Sequence, residues 1–157
     1  DIVLGGAPIG LPVNFEATGY TLGPFGGAAA TVIANPDATG INSSSNVLHY
    51  VKSAGEVYGG FTFTLDNAIA AADGDSFTID VWSSAAKPLL FKLDDSNVEV
   101  TVTTAGGSAW ETLVFDLSTA TLSGDSKITM IAENGVMGDG TDAFTFYIDN
   151  IVQEVTP

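Results

Sequence analysis

Ser76-Phe77-Thr78-Ile79-Asp80-Val81-Trp82-Ser83 is the stretch whose reading decides the fold. Successive residues of a β-strand point to opposite sides of its sheet. Phe77, Ile79 and Val81 therefore make a core face, while Thr78, Asp80 and Trp82 face the other way. The same alternation sets Leu89, Phe91 and Leu93 against Leu90 and Lys92, and Leu113, Phe115 and Leu117 against Trp110, Thr112, Val114 and Asp116. These strands carry a large or charged residue on what should be an outer face.

Outward from that segment, short β-rich runs recur between clusters of Gly, Asn, Asp, Ser and Pro, and helical periodicity is missing. Strands are predicted at Val13–Thr18, Ala29–Ile33, Val47–Lys52, Tyr58–Thr64, Ser76–Ser83, Leu89–Leu93, Val98–Thr104, Trp110–Asp116, Lys127–Ala132 and Phe144–Val152. About ten strands suit an all-β fold, a two-sheet β-sandwich of the jelly-roll type. Leu65–Ala72, just before the turn Asp73-Gly74-Asp75, is expected to be a loop or at most one helical turn. Asn35–Asn46 and Gly135–Gly140 are the expected irregular segments.

The chain of 157 residues suits one domain, 1–157, with its core at about 11–152. Its formal charge of −15 sets 19 acidic residues against the lysines Lys52, Lys87, Lys92 and Lys127, with no arginine. Nucleic acid is thereby an unsuitable partner, since phosphate binding draws on Lys and Arg displacing counterions. An anionic polysaccharide is disfavoured for the same reason unless a local lysine pair intervenes, and the acidity otherwise reads as solubility. No apolar run has the length of a membrane span, so no membrane insertion is expected. Cysteine is absent, which removes disulfides and thiolate chemistry. The start Asp1-Ile2-Val3-Leu4-Gly5-Gly6, with no initiator Met and no signal-peptide pattern, reads as a piece cut from a longer or processed polypeptide.

Catalytic motifs are lacking. The sole histidine, His49, has no nucleophile-elbow sequence to serve. A lyase commonly needs a cation against the enolate, which an arginine-free chain supplies poorly. Carboxylate pairs for a glycosidase always exist among so many acids, but no Glu-x-Asp-x-x-Glu spacing occurs. Gly55–Gly60 and Gly135–Gly140 lack the helix and lysine of a phosphate loop, and Asp139-Gly140-Thr141-Asp142 lacks the bidentate Glu of an EF-hand. The expectation is no enzyme.

Leu11-Pro12-Val13-Asn14-Phe15-Glu16 and Phe144-Thr145-Phe146-Tyr147-Ile148-Asp149-Asn150-Ile151 resemble the first and last strands of jelly-roll carbohydrate-binding modules of families 4, 9, 16 and 22. Ala109-Trp110-Glu111-Thr112-Leu113-Val114-Phe115 is similar to their Trp-x-x-Leu-x-Phe strand. Val51–Gly60 and Leu90–Asp94 resemble modules of marine bacterial polysaccharide-degrading enzymes and surface glycan-binding proteins, whose usual targets are laminarin or alginate. Asn150 stands where many relatives carry a second Asp. The resemblance implies a structural calcium ion (Ca2+) held by Glu16, Asp149 and backbone carbonyls near Asn42 or Asn46. It also implies a secreted or cell-surface location within a larger multimodular protein.

Sugar rings stack their C–H faces on aromatics while their hydroxyls need donors and acceptors. Trp82, with Asp80 on its face, fits this best, followed by Tyr58 in its Gly-rich setting and by Tyr50 with Lys52. Lys92 is expected to donate from a neighbouring strand, with Glu133 or Asn134 accepting from a loop. Trp110 is assigned to packing and His49 to an ordinary strand position, while Tyr20 and Phe25 either rim a loop-edge site or anchor it. The expected function is non-catalytic binding of a polysaccharide or oligosaccharide, a neutral β-glucan such as laminarin. The alternatives are an anionic chain such as alginate, or a structural or adhesion domain whose only ligand is calcium.

Overall fold

The computed structural model describes residues 8–156, so the expectation for Asp1–Gly6 lies outside the described residues. The strands are β1 (Thr21–Phe25), β2 (Ala28–Ala34), β3 (Asn46–Lys52), β4 (Gly60–Thr64), β5 (Ser76–Ser83), β6 (Pro88–Leu93), β7 (Val98–Thr103), β8 (Ala109–Asp116), β9 (Lys127–Ala132) and β10 (Thr145–Glu154). They form two five-stranded sheets, a first in the order β1-β4-β9-β6-β7 and a second in the order β2-β3-β10-β5-β8. The strand pairings within both sheets are antiparallel, as a β-sandwich of this kind requires.

The alternating residues of both sheets meet in one core. Phe61, Phe63, Leu89, Phe91 and Met130 come from the first sheet, and Leu48, Phe77, Ile79, Phe115 and Phe146 from the second, all fully buried. Phe91 lies 4.9 Å from Phe77 and 5.3 Å from Phe115, stitching the sheets together. Each such ring contributes roughly 2–3 kcal/mol by leaving water.

Two expectations at the N-terminal end need correction. Val13–Thr18 is not a strand; only Val13 pairs, through mutual 2.9 Å hydrogen bonds with Ile151. Pro12 has no N–H to extend a ladder. Phe15 turns inward at φ 57° to be fully buried against Tyr20 and Phe63, which breaks the extended run. Conversely, the Gly-rich segment after Gly19 contains β1, whose Pro24 is tolerated because β1 is an edge strand. The predicted helix-or-loop at Leu65–Ala72 is irregular up to a short 3-10 turn at Ala71–Asp73.

Candidate functional site

The expected site residues divide among the interior and two outer faces. Tyr50 is fully buried; its hydroxyl donates to the Gly59 carbonyl at 2.8 Å and accepts the Ala132 N–H at 3.0 Å. Lys52 is also fully buried, and its ammonium donates to the carbonyls of Val57, Ala132 and Glu133 at 2.7, 2.8 and 3.1 Å. Burial pushes the Lys52 pKa down, while the nearby Glu133 charge works the other way. These two placements correct the expectation of sugar contact. In Val47-Leu48-His49-Tyr50-Val51-Lys52 both alternating faces are largely apolar, and Leu48, Tyr50 and Lys52 take the inner one. Asp80 is corrected too: it is only 8% exposed, and its oxygens accept from Thr112 Oγ1 at 2.7 Å and Asn150 Nδ2 at 2.8 Å, which ties it into the sheet.

Tyr58, Lys92 and Glu133 gather on the outer face of the first sheet. Cross-strand register lines up Phe25, Gly60, Ile131, Leu90 and Thr101 as one row across β1, β4, β9, β6 and β7. The neighbouring row is Gly23, Thr62, Thr129, Lys92 and Glu99, with the two threonine hydroxyls 3.1 Å apart. At one end Tyr58, 49% exposed, stands 6.4 Å from the Phe25 ring. The other end is a groove of about 300 Å³ lined by Pro88, Leu90, Glu99, Thr101, Glu133 and Asn134.

Glycine chemistry explains the aromatic pair. A Cβ on Gly55 would stand 2.4 Å, and one on Gly59 2.7 Å, from the Gly26 carbonyl oxygen, so only glycines let these backbones touch. Gly26 itself has φ 66°. The Glu56 N–H donates to that same carbonyl at 2.9 Å, and Lys52 ties down Val57, so the turn carrying Tyr58 is held against the end of β1.

The lysines of this face are already paired. Lys87 meets Glu133 Oε2 at 2.5 Å, and Lys92 lies 3.3 Å from Asp94 and 4.0 Å from Glu99. Leu90 shares the outer face with Lys92 as the alternation within β6 predicts, whereas Glu99 and Thr101 of β7 and Ile131 of β9 were not singled out, since strand pairing brings them to this face.

Trp82 belongs to the second sheet, away from Lys92. Its indole N–H donates to Asp37 Oδ2 at 3.0 Å, and its ring lies 4.8 Å from Tyr147. Trp110, buried as its packing assignment requires, donates to the Asp37 carbonyl at 2.7 Å. His49 sits 5.4 Å from Tyr147, and burial lowers its pKa. A histidine that protonates more readily when unfolded contributes stability above its unfolded pKa of about 6.5, lost as pH falls through the folded value. His49→Gln should therefore flatten the loss of melting temperature between about pH 7 and 5; parallel curves for the two proteins would refute it.

The residues expected around calcium meet at the loop between β2 and β3. Glu16 accepts the N–H groups of Ser45 at 2.9 Å and Asn46 at 2.8 Å. Buried Asn42 donates to Asp149 Oδ2 at 2.8 Å and accepts from Asn35 Nδ2 and the Ser44 N–H. Asp149 is fully buried, its Oδ1 has no hydrogen-bond partner, and burial raises its pKa. An orphaned interior carboxylate oxygen fits a hard cation. Among the described residues no three His, Cys, Asp or Glu side chains converge on a metal position, so amide and backbone oxygens would supply most ligands.

No family model matches the chain, and no curated protein matches it. Solved structures do. A xylan-binding domain of carbohydrate-binding module family 22 superposes with TM-score 0.52 at 18% identity over 94% of each chain. A family 11 module from Clostridium thermocellum, in complex with a β-1,3-1,4-mixed-linked tetrasaccharide, gives 0.52 at 15% identity over 92% of this chain and 95% of that one. An exo-β-agarase gives 0.64 at 16% identity over 96% of this chain, which spans 25% of that enzyme. The fold is therefore the jelly-roll sandwich of carbohydrate-binding modules.

Proposed function

We propose that the protein binds a neutral polysaccharide across the outer face of the first sheet and performs no chemistry on it. The carrying observation is an outer face with the Phe25–Tyr58 aromatic pair at one end and the Glu133 groove at the other, floored between them by the almost fully buried Gly60, Ile131 and Leu90. The aromatic pair offers a stacking platform, and Thr62, Lys92 and Glu133 supply donors and acceptors. The family 11 and family 22 structures, with a bound mixed-linked tetrasaccharide and a xylan-binding role, favour a glycan ligand for this fold.

The ligand class follows from charge. Lys87 and Lys92 are engaged by Glu133, Asp94 and Glu99, so an anionic chain such as alginate would have to displace carboxylates already in place. A neutral β-glucan such as laminarin meets no such competition. Secretion or display at the cell surface, as one module of a larger protein, is part of the same reading, and the agarase of which this chain spans a quarter favours it.

Affinity electrophoresis in laminarin gels tests the site. Tyr58→Ala and Phe25→Ala should each weaken retention about tenfold, the equivalent of 1.4 kcal/mol. Unchanged retention of both variants would reject this face and place glycan binding elsewhere on the molecule, whereas a wild-type protein that laminarin does not retain would favour the calcium-only structural role. Retention that collapses in added salt would point to an anionic chain instead.

We also propose that calcium occupies the Glu16–Asp149 region and holds the Asn35–Asn46 loop to β10. Its binding would neutralise an otherwise uncompensated interior carboxylate, so chelation should lower the melting temperature and added calcium restore it. A melting curve indifferent to both additions would remove the ion.

A further inference from the structure

The outer face of the second sheet carries an aromatic row that the reading above does not use. Register places Thr31, His49, Tyr147, Trp82 and Trp110 opposite one another across β2, β3, β10, β5 and β8. The His49–Tyr147 and Tyr147–Trp82 ring centroids are 5.4 and 4.8 Å apart, and all three rings are partly exposed. Asp37 takes both indole N–H groups, which fixes Trp82 and Trp110 and leaves no unmet indole donor.

The row ends at a cavity. A pocket of about 460 Å³ opens between the edge strands β1 and β2, lined by Tyr20, Leu22, Val32, Thr18, Thr31 and Asn46 among others, none of them charged. Thr31, at the β2 end of the aromatic row, also lines this pocket.

We infer that this face is a second, independent binding surface for a neutral pyranose chain, with one chain terminus seated in the Thr31–Tyr20 pocket. Strands lie 4.7–4.9 Å apart, so the path from β2 to β5 runs about 14 Å, the length of about three sugar units. Along it β3, β10 and β5 each offer one ring, from His49, Tyr147 and Trp82, while β2 offers Thr31. The interplanar angles of 33° and 46° make a stepped platform, suited to a single twisted chain and not to a flat crystalline surface. No lysine or arginine lies in the row, so nothing along it attracts an anionic chain. The inference takes its ligand class from the reading above but uses a different face, so one molecule would bridge two chains.

The test is a nitrogen-15 NMR titration with β-1,3-glucan and β-1,4-glucan hexasaccharides, on wild type and on the Phe25→Ala/Tyr58→Ala double variant. With at least one sugar, the Trp82 indole signal and the Thr31, His49 and Tyr147 amides should shift saturably in both proteins. Thr31→Trp, which blocks the pocket mouth, should weaken those shifts at least tenfold and spare shifts at Ile131 and Thr101. Tyr147→Leu, which keeps apolar bulk without the ring, should do the same if Thr31→Trp fails to fold. Shifts confined to the first sheet, and gone in the double variant, overturn the inference and leave the first site standing. Shifts confined to the second sheet do the reverse, and silence at both faces overturns both.

Discussion

Lys52→Met should lower the melting temperature by about 6–12 °C, the largest stability effect expected of any side chain considered for ligand contact. The ammonium is fully buried and donates to three carbonyls from two separate segments, the turn at Val57 and the end of β9 at Ala132 and Glu133. Methionine fills similar space but donates nothing, so three carbonyls lose a partner at about 1 kcal/mol or more apiece. A total near 3 kcal/mol corresponds to that shift for a domain of this size. Burial already lowers the Lys52 pKa, and the variant is relieved of that desolvation, which makes the figure a net one. Glycan affinity should fall as well, because Lys52 restrains the turn that presents Tyr58. A melting temperature within about 2 °C of wild type would show that water replaces the ammonium without cost.

Gly60→Ala should cost about 2–3 kcal/mol and disturb glycan binding together with stability. Gly60 lies in the middle of the proposed binding row, between Phe25 and Ile131 in register. A Cβ there would stand 2.3 Å from the Met130 carbonyl oxygen and 2.8 Å from Ile131 Cγ1. The first atom is backbone in the adjoining strand, so relief requires β4 and β9 to separate where their ladder is formed. Ile131 would move with it, and the row would lose its continuity. Chemical denaturation and laminarin retention measured on the same preparation decide the matter. A variant as stable as wild type, binding with unchanged affinity, would mean the sheet yields locally and the row tolerates an added methyl.

Much of the fold was legible because alternation is a local property. In β5, β6 and β8 one face is apolar and the other contains Asp80, Lys92, Thr112 or Asp116, so burial of the apolar side followed directly. The candidate site was less legible. Tyr50 and Lys52 sit in a strand whose faces differ little in polarity, and a buried lysine satisfied by carbonyls carries no sequence mark. Phe25 and Tyr58 were separately visible, but their contact depends on glycine backbones meeting across two loops. Glu16 and Asp149 each bond to the loop between β2 and β3, Glu16 at Ser45 and Asn46 and Asp149 at Asn42.

Residue order alone thus determined the β-sandwich class, the inner faces of its clearest strands and the lack of catalytic motifs, since these rest on side-chain period and composition. Only the tertiary structure decided which sheet each strand joins. Adjacent strands such as β5 and β6 part into different sheets, while β9 inserts between β4 and β6, through pairings between segments far apart in the chain. Alternation tells a strand which side to bury but not which neighbour to take, because that choice is made by the shared core. For this reason Trp82 and Lys92, ten positions apart in the sequence, stand on different sheets and serve different faces.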